Sequence, residues 1–272
     1  DPRMNTLRGL RRRGFTPAGL RLFVERIGVS KQNSVIDYSV LEGCIREDLD
    51  ATAPRRMAVL DPLRLVISNL PEGHSETLRF ANHPKDESFG TREVPFSREL
   101  WIEREDFAEI PPKGFHRLRP DGEVRLRGVG IVRCDDVVKD AAGNVVALHC
   151  TLDPDSRQGL PGAERKVKGT LHWVSAPHAV ATEVRLYERL FNVAAPENDE
   201  GGQDWLAHLN PDAKRVMQAW LEPAAAIASP EQRYQFERLG YFVADRVDHH
   251  AQAPVFNRIV TLRDTWARQA GH

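Results

Sequence analysis

Apolar residues change their spacing once along this chain, at Pro54, and that change restricts the fold more than any other feature. Before it, Leu20, Phe23, Val24 and Ile27 recur at helical intervals, and Tyr38, Leu41, Ile45 and Leu49 do so again. Thr16-Pro17 supplies an N-cap followed by proline at the first helical position, and Gly28 closes that segment. The spacing predicts a short arginine-rich first helix, a second from Pro17 and a third over about Val35 to Leu49. Proline at 54 removes a backbone donor and ends the helical region.

Beyond Pro54 the pattern is that of short strands. Leu63, Leu65 and Ile67 alternate with Arg64 and Val66, and Val184 and Leu186 alternate with Glu183, Arg185 and Tyr187. Two turn signatures predict hairpins: Pro120-Asp-Gly122 between arginine-rich segments, and Asp140 to Asn144 between two valine pairs. Many short strands with Gly and Pro turns favour barrels over a parallel sheet. A short helix is expected around 210–222, led by Asn210 and Pro211, and 195–203 reads as an exposed loop. The class is α+β, mainly β.

Composition narrows the possible functions. No apolar run approaches the roughly 18 residues of a membrane span. Three cysteines, Cys44, Cys134 and Cys150, are too few and scattered for a disulfide framework, which points to a reducing cytoplasm. No close-set cysteine or histidine pairs are spaced as a zinc site requires, and no glycine-rich phosphate loop or nucleophile elbow is present. The expectation is therefore no metal and no catalytic residue. A start at Asp1 rather than Met fits a fragment. The net charge of −1 is not the excess of a protein that binds nucleic acid through bulk electrostatics, so any such binding must rest on local patches.

Such patches exist. Arg8, Arg11, Arg12 and Arg13 crowd the first helix. Arg117 and Arg119 precede the Pro120 turn, and Arg125 and Arg127 follow it on one strand face, opposite Val124 and Leu126. Like charges this close are more easily kept if a polyanion neutralises them, and the planar guanidinium suits phosphates and unpaired bases. The plain alternative is a solvated face paired with Glu103, Glu105 or Asp121. The segment Tyr234-Gln-Phe-Glu-Arg238 sets an amide and a guanidinium three apart beside two aromatics, a pattern as common in ordinary packing as in base reading.

Several segments, in order, resemble one family. They include Asp1-Pro-Arg-Met through Gly14, Arg26-Ile-Gly-Val-Ser-Lys-Gln32, Cys44-Ile-Arg-Glu-Asp-Leu49 and Ala53-Pro-Arg-Arg-Met-Ala-Val-Leu-Asp-Pro62. Asn82-His-Pro84, Val94-Pro-Phe-Ser97, Glu123-Val-Arg-Leu-Arg127 and Lys166-Val-Lys-Gly-Thr-Leu-His-Trp-Val-Ser-Ala176 continue the match. Gln235-Phe-Glu-Arg238, Val255-Phe-Asn-Arg258 and Leu262-Arg-Asp-Thr-Trp-Ala267 complete it. These are similar to the glutaminyl-tRNA synthetases of bacterial type, class I aminoacyl-tRNA synthetases. The resemblance implies that both ATP-binding signatures lie before Asp1. This chain would then be the recognition half of a glutamine–tRNA ligase, inactive alone, with ATP used only by the full-length parent.

The resemblance further implies a helical subdomain (1–52), a discontinuous proximal anticodon-binding barrel (53–100 and 178–272) and an inserted distal barrel (101–177), mostly antiparallel. Arg55, Gln235 and Arg238 would surround the middle anticodon base, a uridine. Arg117 would meet the third base, a guanosine, and Arg125 with Arg127 the first. Lys31 and Gln32 would touch the inner corner of the tRNA. The implied partners are tRNA(Gln) and the parent's own N-terminal catalytic domain, with no membrane and a monomeric state. The sequence departs from the family at His116, where relatives carry Lys, at Lys85, where Asn is usual, and at Asp50, which replaces another polar residue. These touch peripheral contacts. Two other readings are a stand-alone RNA-binding module and the corresponding part of an archaeal or eukaryotic-type glutamyl enzyme.

Overall fold

A computed structural model describes residues 1–29, 31, 35–193, 196 and 204–263. It divides into two compact units. The first comprises Asp1–Arg55, Glu183–Met217 and Ala228–His272, and the second comprises Arg56–Thr182 and Gln218–Ile227.

In the first unit, helix α1 spans Leu7–Arg13, α2 Pro17–Ile27 and α3 Tyr38–Thr52. The Thr6 and Thr16 hydroxyls each accept a hydrogen bond from a backbone N–H three residues on, at 3.1 Å, so two orphan donors are satisfied locally. Asp37 caps α3, which therefore begins three residues later than its apolar spacing alone indicates. The stripe Leu41, Ile45 and Leu49 is buried with Leu10 and Phe15 against Tyr241, Val243, Ile259 and Val260. Gly14 joins α1 to this core at φ 103°, where a β-carbon would lie 2.7 Å from Val243. The helical segment is thus one face of a shared core. It is not a separate subdomain.

The strands beneath it are Arg233–Phe236, Gly240–Ala244 and Val255–Val260, antiparallel in succession. Val255–Asn257 also pairs in parallel with Glu183–Arg185, whose Val184 is fully buried as its alternation predicts. The expected loop at 195–203 lies outside the described residues except for Pro196.

The second unit is built on one sheet, in the order Thr170–Leu171, Glu123–Leu126, Gly130–Lys139, Val145–Leu152, Pro62–Ile67, Glu99–Glu103, Val174–Ser175. Only His172 and Trp173 separate the two edge strands in the chain, so the sheet curls into a barrel. Its pairs are antiparallel except at Thr170–Leu171 with Glu123–Leu126 and at Pro62–Ile67 with Val145–Leu152. Leu63, Leu65, Ile67, Val124, Leu126 and Trp173 fill the interior. A two-stranded ribbon, Ser75–Ala81 with Thr91–Ser97, packs on it through Val94 and Phe96.

Three expectations differ from what forms. The domain boundary placed at 100/101 falls inside this sheet, because Pro62–Ile67 is a central strand flanked by Val145–Leu152 and Glu99–Glu103. The grouping by compactness accordingly joins 56–100 to 101–177. The turn at Pro120-Asp-Gly122 does not connect two paired strands: Leu118 instead bridges Phe107 in parallel, and Glu123–Leu126 pairs with the strand after it. The helix expected at 210–222 is a strand, Lys214–Leu221. There Trp220 and Leu221 pair with Val59 and Ala58, and Trp220 stacks on Trp101 with ring centroids 6.0 Å apart. Tertiary pairing outweighs the helix propensity of residues such as Lys214, Met217 and Gln218. The hairpin at Asp140–Asn144 forms as read, with the Asp140 carboxylate accepting from the N–H groups of Ala142 and Asn144 at 2.9 Å.

Candidate nucleic-acid interface

In the first unit the hairpin Arg233–Phe236 to Gly240–Ala244 sorts its side chains by strand parity. Tyr234 and Phe236 point into the core, where Phe236 stacks on Phe242 at 4.4 Å, while Arg233 and Gln235 stay half-exposed. Gln235 stands opposite Tyr241 and donates its backbone N–H to the Pro54 carbonyl at 2.9 Å. That bond brings Arg55 beside a residue 180 positions later. Arg238 occupies the turn of the same hairpin, exposed and at φ 66°. The three residues assigned to one base thus come together around a single strand.

The chemistry of this corner is specific. Arg55 is buried and serves as a cap for α3. One amino group donates to the Ala53 carbonyl at 2.7 Å, and the other donates to the Asp50 carbonyl at 3.1 Å and carboxylate at 2.8 Å. The Tyr241 hydroxyl also reaches the Asp50 carboxylate, at 3.4 Å. Burial, reinforced by that neighbouring negative charge, pushes the Tyr241 phenol up to about 12. Gln235 Oε1 is buried without a hydrogen-bond partner. An unsatisfied acceptor costs roughly 1–3 kcal/mol, which leaves this oxygen able to take a further donor.

The second unit holds the other arginines. Arg125 leaves its strand half-buried and donates to the carbonyls of Ser156, Ala163 and Arg165 at 3.2, 2.9 and 2.8 Å. Arg127 lies just past the strand, exposed, its carbonyl accepting from the Trp173 indole at 3.0 Å. Arg117 pairs with Glu105 at 3.0 Å and with the buried Asp106 at 3.3 Å. Part of the basic segment is therefore matched by carboxylates, as the plain alternative holds, and Glu105 is one of the partners it named.

Arg11, Arg12 and Arg13 resolve into structural groups. Arg11 pairs with Glu231 at 2.8 Å, and Arg12 bonds both oxygens of the fully buried Asp245 at 3.1 Å and also Asp248 at 2.9 Å. Arg13 donates to the carbonyls of Tyr187 and Ile259. Burial alone would raise the Asp245 carboxyl, but bonds from Arg12, Asn257 and two backbone N–H groups hold it down at about 2. Lys31 is exposed at a bend after α2, and Gln32 lies outside the described residues. The residues that sequence reasoning missed are Tyr241 and the bridging role of Asp50. The four-residue spacing from Phe236 to Gly240 was the available signal for the first.

Among the described residues no cluster of three or more His, Cys, Asp and Glu side chains could hold a metal ion, and no helix is long and apolar enough to cross a membrane.

The second unit thus carries arginines on and beside its barrel strands, and the first holds the unpaired amide oxygen of Gln235 on the strand next to helix-capping Arg55. The chain belongs to the anticodon-binding-domain family of class I tRNA synthetases (E and Q), whose pattern it matches over residues 53–153 and again over 170–245. It is 69% identical to the glutamine–tRNA ligase of Xanthomonas euvesicatoria pv. vesicatoria (strain 85-10), over 268 residues. It is 68% identical to that of Xylella fastidiosa (strain 9a5c) over the same length. Each match covers 98% of this chain and 46% of the relative, so the chain spans about half the length of these curated proteins.

Proposed function

We propose that this chain recognises tRNA(Gln) as part of a glutamine–tRNA ligase, with glutamine, ATP and the chemical step handled by the remaining half of the parent. The kinship to two glutamine–tRNA ligases supports glutamine over the sister glutamyl specificity. On this reading the partners are tRNA(Gln) and the parent's catalytic domain, the protein works as a cytoplasmic monomer, and no cofactor binds this half.

The observation that carries the reading is the orphaned Gln235 Oε1, on the strand that pairs with the segment leading to Arg55. Uracil presents an N3–H donor between two carbonyl acceptors, so an unpaired amide oxygen suits the central donor of its Watson–Crick edge. Cytosine offers an acceptor at the same position and would leave the amide oxygen unpaired. Arg55 and Arg238, the latter on the same hairpin turn, are assigned to the same base. Arg117, and Arg125 with Arg127, are assigned to the third and first anticodon bases, with Lys31 and Gln32 at the inner corner of the tRNA.

The test is Gln235→Leu, measured for binding to tRNA(Gln) transcripts carrying uridine or cytidine at the middle anticodon position. The variant should lose about 1–3 kcal/mol on the uridine transcript and most of its preference between the two. Its thermal stability should hold or rise, because a buried unsatisfied oxygen is removed. A variant that keeps the native preference would overturn the assignment.

A further inference from the structure

The segment Lys166–Lys168, which no role above absorbs, is the strongest unexplained charge in the second unit. We infer that Lys166 and Lys168 form a contact for the phosphate backbone of single-stranded RNA, beside the arginine-bearing strand. This rests on the RNA-binding reading given above.

Four observations lead there. First, both lysines are exposed, with half-buried Val167 between them. Second, among the described residues neither makes a hydrogen bond or ion pair, whereas their arginine neighbours do. Arg165 is held by Glu123 at 2.7 Å and Asp153 at 2.9 Å, and Arg117 by Glu105 and Asp106. The structure matches the arginines and leaves these lysines to solvent. Glu164 is the only carboxylate within 163–170, so the segment keeps a positive excess.

Third, the segment is held in place. Arg125 donates to the Ala163 and Arg165 carbonyls just ahead of it. Thr170–Leu171 then pairs in parallel with Arg125 and Leu126, and the N–H groups of Arg125 and Arg127 donate to Gly169 and Leu171 at 3.1 and 3.0 Å. The lysines are therefore carried at a fixed offset from Arg125 and Arg127.

Fourth, Gly169 brings a second basic stretch against the first. At φ 92° it lies so close to the His116 carbonyl that a β-carbon would sit 2.1 Å from that oxygen. Lys113, His116 and Arg119, all exposed, thereby join the same surface. A lysine is a compact charge on a flexible stem, without the planar fork that matches base edges. Arginines fixed on strands with mobile lysines beside them divide into base-facing and backbone-facing groups.

The experiment uses the 272-residue chain with Lys166→Ala/Lys168→Ala and Lys166→Arg/Lys168→Arg as paired double variants. Binding to tRNA(Gln) and to a transcript with a substituted middle anticodon base is measured across potassium chloride concentrations. Loss of two phosphate contacts should lower the slope of log K against log salt by about 1.4–1.8, and weaken binding on the order of 25-fold at 0.1 M salt. The arginine pair should keep native slope and affinity, and neither pair should change the ratio between the two transcripts. If wild type binds and the alanine pair matches it in slope and affinity, the phosphate contact is wrong while RNA recognition stands. If the alanine pair changes the ratio, the lysines read bases and the inference fails. If the wild-type chain binds neither transcript, the RNA-binding reading falls and takes this inference with it.

Discussion

Two arginine-rich stretches look alike in this sequence, Arg8 to Arg13 and Arg117 to Arg127, and the fold uses them in opposite ways. In α1 three of four guanidiniums are paired, Arg11 at the surface with Glu231, Arg12 with Asp245 and Asp248, and buried Arg13 with the carbonyls of Tyr187 and Ile259. Around the second barrel Arg127 and Arg119 remain exposed, and the free lysines of 166–168 are added from a distant part of the chain. Each stretch carries four arginines, closer set in the first. What differs is the burial: Asp245 and Arg13 clamp the first stretch in the core, whereas Arg117 and Arg125 are held nearer the surface.

The largest expected effect breaks the clamp. Arg12→Ala leaves Asp245 fully buried without its bidentate partner, and losing one member of such a pair costs about 3–5 kcal/mol. Chemical denaturation should report that loss, while tRNA affinity per folded molecule stays native. An affinity loss in folded Arg12→Ala would mean that α1 belongs to the interface as well.

Acid should act on the same clamp. The Asp245 carboxyl sits at about 2 when folded, below its unfolded value near 3.8. Its contribution, on the order of 2 kcal/mol, is therefore fully present above pH 4 and disappears as pH falls through 2. Urea midpoints measured between pH 5 and pH 2.5 should decline more steeply in wild type than in Asp245→Asn. Parallel declines would remove Asp245 from the account.

The smallest effect tests the exposed side of the comparison within the first unit. Lys31→Ala should leave stability unchanged, weaken all tRNAs alike by about 1 kcal/mol at 0.1 M salt, and reduce the salt slope by about 0.7–0.9. A change in preference between anticodon-substituted transcripts would place Lys31 at a base.

The legible parts of the fold were those decided locally. Thr16-Pro17 predicted a helix start because a hydroxyl and a fixed φ act within one turn. Asp140 to Asn144 predicted its hairpin because the Asp140 carboxylate bonds backbone groups two and four residues on. Lys214–Leu221 was misread because its strand character comes from Ala58 and Val59, more than 150 residues earlier. The Pro120 turn was real, but the strand before it had no partner across the turn. At the candidate site, arginine and glutamine types were visible, whereas the orphaned oxygen of Gln235 was not. It depends on the packing around a strand whose neighbour Arg55 lies 180 residues away.

The order in which the ribosome releases the chain matters for a core assembled from its two ends. Helices α1 to α3 emerge first, yet Tyr241, Val243, Ile259 and Val260, against which they bury their apolar stripe, come about 200 residues later. At synthesis rates of about 5–20 residues per second, the strands that cover Leu41, Ile45 and Leu49 in this structure follow on the order of 10–40 s later. The barrel strands from Pro62 to Ser175 are contiguous and can close in the interval. Isolated helices of 7 to 15 residues are marginal in water, so the stability of α1 to α3 depends on the arrival of those later strands.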